Sequence, residues 1–126
     1  PATVDSVNQR VHFLKMEGKE VYKNAVTAMT AAAREVMERA GVSIGDIKCV
    51  IPHQANQRII DAVGQRLEAT PDQVFVNLHK YGNTSAASVA VALREAVDAG
   101  RVDRGDLVLM VAFGAGLTWG ATVLEW

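Results

Sequence analysis

The feature that most constrains this chain is a change of period at Pro52. Before it stands "IKCVI" (Ile47 to Ile51), an apolar run too short for a helix. Proline lacks the N–H that a further ladder bond would need. Beyond it, Ile59, Ile60, Val63 and Leu67 trace one stripe of a helix through "ANQRIIDAVGQRLEA". A buried strand is therefore expected to hand over to a helix, with the polar "PHQAN" at the junction.

The same alternation extends in both directions. Upstream, Val21, Ala25, Ala28, Met29, Ala32, Val36 and Ala40 recur at three- and four-residue steps between Glu17 and Ala40, with Gly41 placed for a left-handed cap. Before that helix, "VHFLKM" (Val11 to Met16) alternates as a strand does. Downstream, Thr70, Pro71 and Gln73 carry a helix-start signal that we expect to make only a turn before "VFVNL" (Val74 to Leu78), read as a buried strand. "HKYGNTSAAS" is a loop, and Val89, Ala90, Leu93, Ala96 and Val97 mark a third helix closed by "DAG". The end reads as two strands, "DLVLMVAF" and "LTWGATVLEW", joined at Gly114 to Gly116.

Strands alternating with helices predict an α/β fold in three layers, α/β/α, around a five-stranded mixed sheet whose last strand is antiparallel. The 126 residues suit one domain, spanning 1–126, and 49% hydrophobic with 21% charged residues at net charge -1 is the balance of a globular protein. That balance gives no reason to expect nucleic-acid binding, and no apolar run approaches a membrane span. One cysteine, Cys49, excludes an internal disulfide and points to a reducing compartment, the cytoplasm. The start at Pro1 rather than at methionine suggests a piece of a longer chain.

Ligands of such sheets bind beyond the carboxyl ends of the strands. "PHQAN", "HKYGNTS" and "FGAG" are all expected at that rim. Taken singly, His53 fits a helix-start residue, Asn83 a helix cap and "FGAG" a hairpin turn. Their convergence is what points to a site. His12 and His79 read as exposed, and three histidines without a short ligand spacing do not indicate a metal centre.

"HQANQRII", "KYGNTSAAS" with Asn83 thirty positions after His53, "AFGAGLTWGA" and "MEGKEVYKNAV" occur in an order that closely resembles the C-terminal half of 3-oxoacyl-[acyl-carrier-protein] synthase III, a family of condensing enzymes that start bacterial type II fatty acid synthesis. The resemblance covers nearly the whole chain. It implies a thiolase-like half-fold and the absence here of an N-terminal half that bears the family's catalytic cysteine. In the family that cysteine takes an acyl group from coenzyme A. Malonyl on acyl carrier protein then loses carbon dioxide and attacks the thioester.

By resemblance, His53 and Asn83 serve this second step. An imidazole N–H beside an amide N–H is a sensible donor pair for the enolate that decarboxylation leaves. The loop Gly114, Ala115 and Gly116 is similar to the family's oxyanion loop, with the N–H at Ala115, where the family often has glycine. Gly18, Tyr22, Ala55 and Asn56 match positions lining the family's pantetheine channel. Lys23, Arg58 and Arg66 match the mouth where acidic carrier protein docks, charges suited to steering association. The resemblance further implies acyl-CoA and acyl carrier protein as partners, a homodimer at full length, no metal and no cofactor.

Cys49 is not expected to replace the missing nucleophile. It stands four residues before His53 in a predicted strand, roughly 13 Å away, beyond reach of a thiol–imidazole bond. It reads as a small buried hydrophobe. Alone, then, the chain is expected not to catalyse condensation. Two other functions fit the same residues: a non-catalytic module that binds carrier protein or another synthase half, and part of a chalcone-synthase-like polyketide synthase. "HQANQRII" and the basic docking positions suit the carrier-protein enzyme better.

Overall fold

A computed structural model describes residues 2–13 and 15–126. Its first element, α1 (Val4–Asn8), is a single turn closed by a reciprocal Thr3–Ser6 capping box. α2 (Gly18–Ala40) runs 23 residues and ends on Gly41 at φ 68°, with the Val42 N–H reaching back to the Met37 carbonyl at 3.0 Å. A 3₁₀ turn (Ile44–Asp46) leads into β1 (Ile47–Pro52), followed by α3 (Gln57–Leu67), the four-residue α4 (Leu78–Tyr81), α5 (Ala87–Asp98), β2 (Leu107–Gly114) and β3 (Thr118–Glu125).

The sheet has the order β1-β2-β3, with β1 parallel to β2 and β3 antiparallel at the edge. Helices cover both faces. α2 and α3 pack with Ile47, Val50, Leu109 and Val111 on one side, and α5 packs with Cys49, Ile51 and Val108 on the other. A bulge explains how Ile47 and Val50 share a face, since β1 advances from Ile47 to Cys49 while β2 advances only from Leu107 to Val108. Lys48, the extra residue, is left exposed as the only such position in an otherwise buried strand. Each fully buried Val, Leu or Ile here contributes about 1.5 to 3 kcal/mol.

Three expectations are corrected. The sheet has three strands, not five. Residues 11–13 and 15–16 form turn and irregular backbone, with Leu14 outside the described residues. Arg10 takes a left-handed φ of 55°, and Val11, Phe13 and Met16 are exposed, with no ladder among the described residues of this run. The run Val74 to Leu78 makes one parallel bridge, Val50 to Val74, and then leaves β1 for α4.

The helix faces also differ in detail. α3 buries the expected Ile59, Ile60, Val63 and Leu67. α2 buries Ala25, Val26, Met29, Thr30, Ala33 and Met37, whereas the expected Ala40 is exposed. On α5 the buried stripe is Ser88, Ala92 and Ala96, and Ala90 faces solvent.

Candidate active site

His53 is the first residue past β1. Its backbone N–H donates to the Val111 carbonyl at 2.8 Å, extending the parallel ladder by one bond and fixing where the ring starts. Because Pro52 pairs with Val111, and β2 runs parallel to β1, the turn after Gly114 leaves the sheet at the same end as His53. The ring is half-buried, and its Nδ1 lies 2.5 Å from the Ser88 Oγ on α5. Burial lowers the His53 pKa below the usual 6.5, favouring neutral imidazole.

Asn83 sits in the exposed loop before α5. Gly82 precedes it at φ 67° and ψ -161°, a backbone combination open essentially to glycine. The Asn83 side-chain carbonyl accepts from the Ser85 N–H at 2.9 Å, an Asx turn that leaves Nδ2 as its unspent donor. Ser85 itself holds φ 54°, uncommon for a residue with a Cβ. Its carbonyl accepts from the Ser88 N–H at 3.1 Å. A short relay of polar contacts thus joins Asn83 to Ser85, Ser85 to Ser88, and Ser88 to His53.

The β2–β3 turn carries Gly114, Ala115 and Gly116. Among described non-glycine residues positive φ occurs only at Arg10, Glu68 and Ser85, so Ala115 has an ordinary backbone and its side chain introduces no strain. Gly116 stands at φ 143°, and a Cβ there would come within 2.8 Å of the Thr118 Cγ2. The Thr118 hydroxyl donates to the Ala115 carbonyl at 3.2 Å. The Ala115 N–H has no bond to the rest of the described chain.

The expected channel and docking positions fall on α2, on the turn before α3 and on α3 itself. Gly18 opens α2 with open space where a Cβ would stand. Tyr22 is half-buried, and the Arg58 guanidinium lies over its ring at 5.3 Å. Ala55 is half-buried with its N–H on the His53 carbonyl at 2.9 Å. Asn56 caps α3, its Oδ1 accepting from the Arg58 N–H at 2.9 Å. Lys23 is exposed. Arg66 ties the helices together, its Nη1 donating to Thr27 at 3.4 Å and its carbonyl accepting from Arg34 at 2.6 Å.

Three polar residues that the sequence did not single out support this rim. Gln54, fully buried, donates to the Pro52 and Phe75 carbonyls at 2.8 and 3.3 Å and accepts from the Asn77 and Leu78 N–H groups at 3.0 and 3.2 Å. Ser88 is buried against His53. Glu95 gathers the Tyr81 hydroxyl at 2.6 Å, the Asn77 amide at 2.9 Å and Lys80 at 3.2 Å. The only available hint was a polar residue interrupting an apolar stripe, as Ser88 does ahead of Ala92 and Ala96.

Cys49 is buried, and loss of solvent pushes its thiol up to about 11 against the opposing charge of Arg101. Among the described residues no three His, Cys, Asp or Glu side chains gather as a metal ion would need, and no helix is long and apolar enough to cross a membrane.

Comparison with known proteins shows what the chain is similar to. Residues 37–126 match the family model described as 3-Oxoacyl-[acyl-carrier-protein (ACP)] synthase III C terminal. The chain is 54% identical over 126 residues to the beta-ketoacyl-[acyl-carrier-protein] synthase III of Caldanaerobacter subterraneus subsp. tengcongensis, covering 100% of this chain and 38% of that protein. It is 53% identical over the same length to the protein of that name from Symbiobacterium thermophilum, again covering 38% of it. The crystal structure of 3-oxoacyl-[acyl-carrier-protein] synthase III from Aquifex aeolicus VF5 superposes with a TM-score of 0.89 at 53% identity, over 90% of this chain and 37% of that one. The corresponding Pseudomonas aeruginosa PAO1 structure also gives 0.89, at 38% identity over 100% and 38%. The chain therefore spans about two-fifths of the length of the relatives it matches. It belongs to the 3-oxoacyl-[acyl-carrier-protein] synthase III family and corresponds to that family's C-terminal, thiolase-like half.

Proposed function

We propose that this half supplies the decarboxylation and condensation donors of a beta-ketoacyl-acyl-carrier-protein synthase III, an acyltransferase that initiates type II fatty acid synthesis in the cytoplasm. A cysteine-bearing N-terminal half completes it, and the whole enzyme is a homodimer that needs no cofactor. Malonyl on carrier protein loses carbon dioxide, and the electron pair of the broken C–C bond moves onto the thioester oxygen as an enolate. The Nε2–H of His53 and the Nδ2–H of Asn83 stabilise that charge. The enolate carbon then attacks the acyl carbon held on the partner half's cysteine, whose sulfur leaves as thiolate. The Ala115 N–H holds the thioester oxygen while that tetrahedral centre forms. Gly18, Tyr22, Ala55 and Asn56 line the pantetheine path, and Lys23, Arg58 and Arg66 meet the acidic carrier protein.

The observation that carries this proposal is how the polar atoms are spent. Internal contacts occupy His53 Nδ1 and Asn83 Oδ1, so each side chain keeps its far nitrogen for a ligand. In a complete synthase carrying this half, His53→Ala or Asn83→Ala should each depress malonyl decarboxylation by on the order of 100- to 1,000-fold. Acylation of the cysteine by acyl-CoA should change far less. The double variant should lose less than the product of the single effects, since the donors act as a unit. Unimpaired decarboxylation in both single variants would falsify the assignment.

A further inference from the structure

Ser88 is a polar residue on the buried stripe of α5, ahead of Ala92 and Ala96, and it is 2% exposed. Its Oγ lies between two groups, the Gln54 backbone N–H at 3.1 Å and the His53 Nδ1 at 2.5 Å. The Gln54 N–H can only donate, so it takes one lone pair of the hydroxyl oxygen. The hydroxyl proton remains to be placed.

If Nδ1 carried a hydrogen and gave it to Oγ, the Ser88 proton would need another acceptor. The Ser88 side chain makes no other hydrogen bond among the described residues. That arrangement would orphan a buried donor, which folded proteins avoid. The reverse arrangement satisfies every atom. Burial also favours a neutral His53 ring, in which one of the two nitrogens carries no hydrogen and can accept.

We propose that Ser88 is a positioning residue: its hydroxyl donates to His53 Nδ1 and so holds the imidazole as the Nε2–H tautomer, with the N–H aimed at the site. The same hydroxyl anchors the first turn after β1 through Gln54, so ring orientation and tautomer are set by one atom. The catalytic consequence rests on the assignment of His53 as an enolate donor. The tautomer itself does not.

The test is nitrogen NMR of a complete synthase carrying this half, with ¹⁵N-labelled histidine. In the unaltered protein His53 should show an unprotonated Nδ1 and a hydrogen-bearing Nε2. Ser88→Ala should lose that preference, giving a tautomer mixture, and decarboxylation should fall by on the order of 10- to 100-fold, the range found for hydrogen-bond partners of metal-bound histidines. Ser88→Thr, which keeps the hydroxyl, should hold the Nε2–H tautomer. An Nδ1–H tautomer in the unaltered protein overturns the proposal even if the alanine variant fails to fold. So does a tautomer that Ser88→Ala leaves unchanged. Should the tautomer respond as expected while His53→Ala leaves decarboxylation intact, the enolate-donor role fails and the role of Ser88 in ring orientation stands.

Discussion

The buried side-chain carbonyl of Gln54 accepts the backbone N–H of Asn77 at 3.0 Å, doing for residues 76–78 what a neighbouring strand would otherwise do. With its other contacts to Leu78, Pro52 and Phe75, one amide ties the end of β1 to the segment leading into α4. Gln54→Leu would leave two N–H groups and two carbonyls short of partners. Each buried orphan costs about 1 to 3 kcal/mol. Urea unfolding should therefore show a loss of at least about 2 kcal/mol, and a change indistinguishable from zero would refute this role.

Glu95 gives a pH dependence of known sign. Hydrogen bonds from Tyr81 first and Asn77 next hold its carboxyl down to about 2, below the ordinary 4.5. The folded state thus favours the ionised form. Its contribution to stability is complete above 4.5 and is lost as pH falls toward about 2. Glu95→Gln should lower the melting temperature at neutral pH and flatten its fall between those two values. Parallel melting curves for the two proteins across that range would contradict it.

Cys49 should stay chemically silent in the folded chain. A thiol held up to about 11 is thiolate in only about one molecule in 10,000 at pH 7, and the side chain is also covered by protein. Incubation with acetyl-CoA followed by mass spectrometry should show no acyl group on it. Stoichiometric acylation of Cys49 would overturn the proposal that the nucleophile lies on another half.

Several large apolar side chains face solvent in this half: Val4, Val7, Val11, Phe13 and Met16 before α2, and Leu117, Trp119 and Trp126 along the last hairpin. Where such side chains form contiguous patches they favour association. The chain by itself should bind a hydrophobic dye and self-associate as its concentration rises. Light scattering that stays monomeric, without dye binding, would count against this.

Arg58 and Tyr22 allow the proposed docking surface to be separated from the proposed chemistry. Arg58 is exposed and rests over the Tyr22 ring at 5.3 Å. In the complete enzyme Arg58→Glu should raise KM for malonyl-carrier protein about tenfold or more, an effect that shrinks with added salt. Acylation from free acyl-CoA should change little. Equal losses with both substrates would place Arg58 in catalysis or folding instead.

The extent of α2, the buried stripe of α3 and the closing hairpin were legible because their signals are local. A 3.6-residue period, a cap glycine at φ 68° and a short Gly-rich turn each act within a few residues. His53 and Asn83 were legible as motifs. Other features had no local signal. α2 carries alanine on several faces, so only packing against the sheet selects Val26, Ala33 and Met37 over Ala40. Alternation in Val11 to Met16 and the mostly apolar run Val74 to Leu78 announce strand-compatible side chains, but a strand exists only where another backbone offers a ladder, and β1 gives the second of these runs a single bridge. Ser88 and Gln54 depend on distance most of all. Their partners lie 35 and 23 residues away, at His53 and Asn77. A buried polar atom takes its role from what the folded chain brings beside it, and that is settled only when the layers close.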